Sequence, residues 1–329
     1  MGADPLFSLA GRVALVPGGG GAIGAALAEG LAAAGAKVAV AGRRREPLEA
    51  AVARVVAAGS EGLALVGDAT VEADCERWVE ETTARFGPVD IIVNAVGGGA
   101  GKVLYPAEAY PREAWDWIME LNVRSTVLPT QAVVRRLIAA GRSGAVVNIS
   151  SVRANLGIAA GYSAYVAAKG AVSSLTRQWA TEWAKYGIRV NAIMPTFIDT
   201  PQVAMLLDDP GFRASIVNRI PLARVGETRD LVGPVVFLCS EAAGFVTGQI
   251  LAVEPLHREP RRRARRCVVS HVPHDPGCSS RARRRASRSN RSASSAAIGS
   301  STFTATRAPD ARSRARKTWP MPPEPASAS

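Results

Sequence analysis

The chain of 329 residues carries a formal net charge of +12, a value that by itself points to a polyanionic partner. The charge is confined to one end: residues 255–329 hold 17 Lys/Arg against 4 Asp/Glu, whereas residues 1–254 hold 23 against 24. All three histidines (His257, His271 and His274) also lie beyond residue 254, which excludes histidine catalysis and a histidine-ligated metal from the body of the chain.

In chain order, the start MGADPLFSLAGR lacks a basic leader, and no apolar run reaches membrane-spanning length. Strands are predicted at 13–16, 37–42, 62–67, 90–94, 144–150, 188–194 and 249–254. Helical patterns lie between them, near 23–34, 46–57, 71–86, 111–139, 163–185 and 227–240. Strands apolar on both faces and separated by helices predict an α/β fold: a single doubly wound (Rossmann) domain over 1–254 with a mostly parallel seven-stranded sheet. The segment 201–221, punctuated by proline and by Asp208-Asp209-Pro210, is expected to form a mobile helical flap. Cys75 and Cys239 fall in helical segments and no CxxC pair occurs. Neither a metal site nor a disulfide framework is therefore expected, and buried thiols suit a reducing, cytoplasmic location.

The first strand runs into PGGGGAIG, which opens a helix. Glycines at such a turn let the backbone approach a pyrophosphate, and the helix start supplies amide donors. Gly18, Gly20, Gly21, Ile23 and Gly24 are the candidate cofactor residues of this turn. The second strand ends at Gly42, where an NAD site would carry an acidic residue for the ribose 2′-hydroxyl. Arg43 and Arg44 follow instead. They favour a 2′-phosphate and hence NADP(H), with NAD(H) the alternative; a solvated helix start is the plainer reading of the same arginines.

Further along come Asp68-Ala69-Thr70, Asn94-Ala95-Val96-Gly97, Leu121-Asn122-Val123, NISS at 148–151, Tyr165-xxx-Lys169 and a stretch Pro195 to Thr200. With the glycine turn, this ordered series resembles the short-chain dehydrogenase/reductase family over residues 8–254. The resemblance implies a nicotinamide cofactor held also by Asp68, Ala69, Asn94, Gly97, Tyr165, Lys169, Pro195, Ile198 and Thr200. It implies a catalytic set of Asn122, Ser151, Tyr165 and Lys169, with Lys169 holding the nicotinamide ribose and Asn122 supporting a water-linked proton path. A homotetramer or dimer with helices 111–139 and 163–185 at one interface is also implied.

The chemistry of the residues agrees. Tyr165 and Lys169 are four apart on a helix and share a face, so the ammonium is expected to lower the phenol pKa toward working pH and make Tyr165 a general acid or base. Ser151 is placed to hydrogen-bond a substrate oxygen as charge develops there. Four departures from the family pattern stand out: Pro17 for threonine, Ala95 for asparagine, Thr196 for glycine, and a Ser151–Tyr165 spacing one residue longer than usual. Substrate candidates are Tyr162, on the cleft wall, and Arg153, which could meet a carboxylate; a surface arginine is the plainer reading of the latter. The substrate is expected to be a carbonyl or secondary alcohol of sugar-acid, polyol or 3-oxoacyl type.

Residues 255–329 contain 50 Arg, Ser, Ala and Pro in 75 positions and only eight Leu, Ile, Val, Met, Phe or Trp. Such a composition predicts disorder. Beginning inside an expected motif, it reads as translation in a shifted frame. The rival is a genuine basic tail binding nucleic acid nonspecifically, which carries an alternative function for the whole chain: a catalytically impaired nucleotide-binding protein.

Overall fold

The computed structural model describes residues 5–99, 101, 103–157 and 160–253, apart from the side chains of residues 202, 205 and 206. The expectations for residues 254–329, disorder and nucleic-acid binding included, lie outside the described residues.

All seven expected strands form: β1 (Val13–Pro17), β2 (Lys37–Gly42), β3 (Gly62–Val66), β4 (Ile91–Asn94), β5 (Gly144–Ile149), β6 (Ile188–Pro195) and β7 (Ile250–Val253). Their order is β3-β2-β1-β4-β5-β6-β7, and every neighbouring pair is parallel. The order reverses between β1 and β4, so a crevice opens there beyond the strands' carboxyl ends. Helices α1 (Ala22–Ala33), α2 (Arg45–Ala57) and α9 (Val232–Cys239) belong to one face, and α3 (Glu72–Phe86), α5 (Ser125–Ala139) and α6 (Ser163–Trp183) to the other. Side chains alternate across the sheet. In β1, Ala14 and Val16 join Leu27, Leu31 and Val235, while Val13 and Leu15 join Trp78, Val133 and Val190.

The expected helix over 111–139 is not continuous. It comprises α4 (Arg112–Met119), a π-helical turn at Glu120–Arg124, and α5. The turn is marked by the Ser125 N–H, which reaches back five residues to the Glu120 carbonyl. Asn122 lies inside it with no exposed surface. Helix 227–240 likewise begins as a 3-10 turn at Thr228–Leu231 before α9. The segment 201–221 holds two short helices, α7 (Pro201–Leu207) and α8 (Pro210–Val217), the second capped by the Asp209 carboxylate, which accepts from Gly211 N and Phe212 N. No helix among the described residues is long and apolar enough to cross a membrane.

At the opposite end of the sheet from the crevice, buried Asp90 ties β1 to the loop before β5. Its carboxylate accepts from Val13 N at 3.0 Å and from Arg142 at 2.6 Å. Truncation would strand the first N–H of β1 and remove the counter-charge of Arg142. Asp90→Ala is expected to cost about 2–3 kcal/mol, read as a lower urea midpoint with an unchanged slope; a shift within error of zero would refute this role.

Candidate active site

The turn after β1 is shaped by two glycines. Gly18 adopts φ +81°, and a Cβ there would fall 2.5 Å from the Ala95 carbonyl carbon; a Cβ on Gly24 would fall 2.2 Å from the Gly18 carbonyl oxygen. The start of α1 is thereby pressed against the turn, and the turn against the one after β4. A cavity of about 360 Å³ opens beside them. Gly18, Gly20, Gly21, Arg43, Arg44, Asp68, Ala69 and Gly97 of the expected cofactor set line it. Arg43 and Arg44 are exposed at its rim, and Asp68 accepts from Thr70 N and Thr70 Oγ1. Ile23 and Gly24 stand behind it in the first turn of α1. This cradle suits a dinucleotide: amide-rich turn, small side chains, cations where a 2′-phosphate would sit.

Asn94 does not line the cavity. It is buried in the sheet, donating to Thr130 Oγ1 and Asn148 Oδ1, while its own Oδ1 lacks a partner. Pro195, Ile198 and Thr200 also lie outside it: Pro195 ends β6, Ile198 bridges to Gly226, and Thr200 precedes α7. Conversely, Trp117 and Leu121 line the cavity without having been singled out as cofactor contacts. The signal available was their i, i+4 spacing, which puts both on one side of a helix.

Of the four expected catalytic residues, Asn122 and Lys169 meet beside Gly97. On α6, the Lys169 Nζ lies 5.8 Å from the Tyr165 ring centre and donates to the Ile149 carbonyl at 2.9 Å. A Cβ on Gly97 would lie 2.9 Å from both Lys169 Nζ and Asn122 Oδ1. Asn122 is fixed by its amide: Oδ1 accepts from Gly98 N, and Nδ2 donates to Gly98 O and Ile118 O. Ser151, at the end of the stretch leaving β5, accepts from Arg153 N at 3.2 Å, and its side chain acts to lower the pKa of the Tyr165 phenol.

Residues 20–255 match the family model described as enoyl-(acyl carrier protein) reductase. The chain belongs to the short-chain dehydrogenase/reductase family. Over 249 residues it is 38% identical to gluconate 5-dehydrogenase of Gluconobacter oxydans, covering 76% of this chain and 95% of that protein. It is also 38% identical over 255 residues to a tropinone reductase homolog of Arabidopsis thaliana, covering 77% and 95% of the two chains. Among solved structures, a gluconate 5-dehydrogenase from Burkholderia cenocepacia in complex with NADP and tartrate matches with a TM-score of 0.70 at 35% identity, over 75% of this chain and 95% of that one. As a member of this family, the protein is an NAD(P)-dependent oxidoreductase.

Two expectations about this dehydrogenase site need correction. Arg153 is not a surface arginine: it is 8% exposed, in the 3-10 turn Val152–Ala154. Nor does Lys169 draw the Tyr165 pKa down. Burial raises it, the hydrogen bond with Ser151 and the charge of Arg153 oppose the rise, and Tyr162 adds to it. Burial acts on Lys169 in the complementary sense, lowering its pKa to about 8. Tyr162 packs edge-on to Tyr165 at 6.5 Å between ring centres.

The family departures have local consequences. The Pro17 carbonyl still ties the two turns, accepting from Ala95 N at 2.9 Å. The Thr196 hydroxyl is buried without a partner. Among the described residues no cluster could hold a metal ion, and both Cys75 and Cys239 are buried free thiols raised by burial to about 12.

The depressed Lys169 pKa implies a pH-dependent stability. Between about 8 and the ordinary 10.5, the unfolded chain binds this proton and the folded chain does not, so stability rises with pH across that window. Relative to Lys169→Met, the native chain should gain up to about 3 kcal/mol from pH 8 to 10.5, measured by denaturation at each pH. A constant difference across the window would contradict the burial of an ionisable amine.

Proposed function

We propose that residues 1–254 form the catalytic domain of an NADP(H)-dependent dehydrogenase that interconverts a secondary alcohol and a ketone on a sugar acid. The observation that carries the mechanistic reading is that Asn122 and Lys169 meet against Gly97, which lines the dinucleotide cavity, with the Tyr165 ring beside Lys169 on α6. When bound, the nicotinamide supplies or accepts the hydride. The protein's part is to hold the substrate oxygen and move its proton. Tyr165 gives a proton to the carbonyl oxygen in reduction and takes it from the hydroxyl in oxidation. The Ser151 oxygen is occupied as an acceptor by Arg153 N, which leaves its own O–H to donate to Tyr165 or to a substrate oxygen as charge develops. Lys169, held by the Ile149 carbonyl, supplies positive charge beside the phenol and a donor for the nicotinamide ribose. Asn122 braces the Gly97–Gly98 backbone and connects this pocket to a proton path. Tyr162 forms part of the substrate wall.

The NADP preference is supported by the exposed Arg43 and Arg44 at the cavity rim and the absence of a carboxylate at position 42. The solved relative that holds NADP supports it too. The sugar-acid class is supported by the gluconate 5-dehydrogenases among the relatives, which favour it over polyols and 3-oxoacyl thioesters. We assign the protein to the cytoplasm on its buried thiols, and to a homo-oligomer, tetramer or dimer, on the exposed Leu251 of edge strand β7 and the fully exposed Phe245 in the segment before that strand. The family match ends at residue 255, in keeping with a change of reading frame near that point.

Tyr165→Phe removes the proton donor and little else. It is expected to lower kcat by about 100- to 10,000-fold while NADPH binding, followed by its fluorescence, stays within about twofold; near-normal turnover would sink the mechanism. Gly42 has room for a side chain, since a Cβ would meet only Leu48 Cδ2, at 3.6 Å. Gly42→Asp should therefore shift the ratio of kcat/KM for NADP over NAD at least about tenfold toward NAD, through repulsion of the 2′-phosphate. An unmoved ratio would remove Arg43 and Arg44 from cofactor selection.

A further inference from the structure

A tryptophan that is 42% exposed is uncommon, because this large ring usually hides most of its surface. Trp117 is such a residue, and it lines the dinucleotide cavity. Its position is fixed by the backbone beneath it. The benzo edge of the indole abuts Gly99, where φ is +78° and a Cβ would lie 2.8 Å from Cζ3 and 2.9 Å from Cη2. A side chain at position 99 would push the ring away. The helical stretch that carries Trp117 is anchored in turn: Arg124 Nε donates to the Thr70 carbonyl at 3.0 Å, tying the π turn after α4 to the segment after β3. Asp68, Ala69 and Thr70 of that segment also line the cavity. The cavity is therefore bounded by the glycine turn after β1, the polar segment after β3 and a pinned indole.

The lining also distinguishes the two halves of a dinucleotide. Arg43, Arg44, Asp68 and Thr70 contribute to it, whereas Ser151, Tyr165 and Lys169 do not. The ring that exchanges hydride belongs beside the latter three, so this cavity takes the adenosine end. We propose that Trp117 is the platform on which the adenine base rests, so that this end is gripped by stacking as well as through its phosphates. A purine offers a flat π face to any aromatic ring, and stacking needs no hydrogen bond to the base edge. A ring that is already pinned loses little freedom when the base arrives. The platform acts apart from Arg43 and Arg44, which are proposed to meet the 2′-phosphate. Trp117 therefore sets how tightly either cofactor is held, without choosing between them. The inference rests on the dinucleotide cofactor alone and is independent of the alcohol that is oxidised.

The test uses the full chain and the two halves of the cofactor. Dissociation constants for NADPH, NADH, 2′,5′-ADP and NMNH are measured for the native protein, Trp117→Ala and Trp117→Phe. In Trp117→Ala, NADPH, NADH and 2′,5′-ADP should each bind at least about tenfold more weakly, while NMNH changes less than about twofold. Trp117→Phe keeps a flat ring and should stay within about threefold of the native protein for every ligand. Tryptophan emission supplies a readout that a packing role would not move. Bound 2′,5′-ADP is expected to quench the native protein by stacking on the indole, and most of that quench should be lost in Trp117→Phe although the ligand still binds. Equal weakening of 2′,5′-ADP and NMNH in Trp117→Ala would mean that the indole only shapes the turn at Gly99, and would overturn the proposal. So would unchanged 2′,5′-ADP affinity in Trp117→Ala, or a full quench persisting in Trp117→Phe. A loss confined to NADPH, with NADH unaffected, would put the ring against the 2′-phosphate and overturn it as well. Each of these results leaves the sugar-acid reading standing.

Discussion

A backbone contact with no space for a side chain governs the crevice: the first turn of α1 at Gly24 rests on the Gly18 carbonyl, and Gly18 rests on the carbonyl of Ala95. The glycine turn and the start of α1 are thereby brought within van der Waals reach of the turn after β4, which is far from them in sequence. The amide donors at the start of α1 face the cavity because that helix cannot be pushed away from β1, and the cavity floor at Gly97 is held level with the turn because β4 is locked beside it. Any side chain at Gly24 would have to move either the helix or the turn. The parallel pairing of β1 with β2 and β4 then sets where Arg43, Asp68 and Gly97 emerge, since all of them follow directly on strand ends.

The second constraint is the interrupted helix at Glu120–Arg124. A regular helix over 111–139 would bury its apolar face and satisfy every backbone group. The π turn gives up regular bonding at one point, and the Asn122 amide takes up the difference by bonding the Ile118 carbonyl and both polar groups of Gly98. Irregular turns of this kind recur where a side chain must be aimed at a site. Here the aim is toward Lys169, whose Nζ and the Asn122 Oδ1 stand at equal distances from the place a Gly97 Cβ would occupy. A glycine at 97 is therefore as much a requirement of the polar pocket as of the cofactor cavity.

Most of this architecture could be read from the residues. Strands such as VALV and DIIVN are apolar on both faces, and only a doubly covered parallel sheet uses them; their limits differ from the structure by a residue or two because strand ends are set by hydrogen bonds that the pattern does not encode. The glycine turn and the Tyr165–Lys169 spacing were equally legible. What was not legible depended on burial. The sequence from 111 to 139 has a helical period throughout, and nothing in it announces the π turn that a single buried amide makes acceptable. The expected effect of Lys169 on Tyr165 considered a pair of neighbours in water; in the fold, desolvation of each group outweighs their attraction. Arg153 looked like a surface residue because arginines usually are. Nor does the sequence announce that the Asn94 side chain turns into the core to link α5, β4 and β5.

The electrostatic character of the site follows from the same burial. The phenol of Tyr165 is raised and the amine of Lys169 is lowered to about 8, so each is displaced toward its uncharged form by one cause. In the proposed reaction this displacement has a direction. When Tyr165 surrenders its proton to a carbonyl oxygen, a phenolate appears in a place that disfavours it, and its stability then depends on the Ser151 hydroxyl, the charge of Arg153 and whatever fraction of Lys169 is protonated. Below pH 8 that fraction is large, and the phenolate forms opposite an ammonium; above it, the ammonium is progressively lost. The state of the proton donor and the titration of Lys169 are thereby coupled, through the burial that the two groups share.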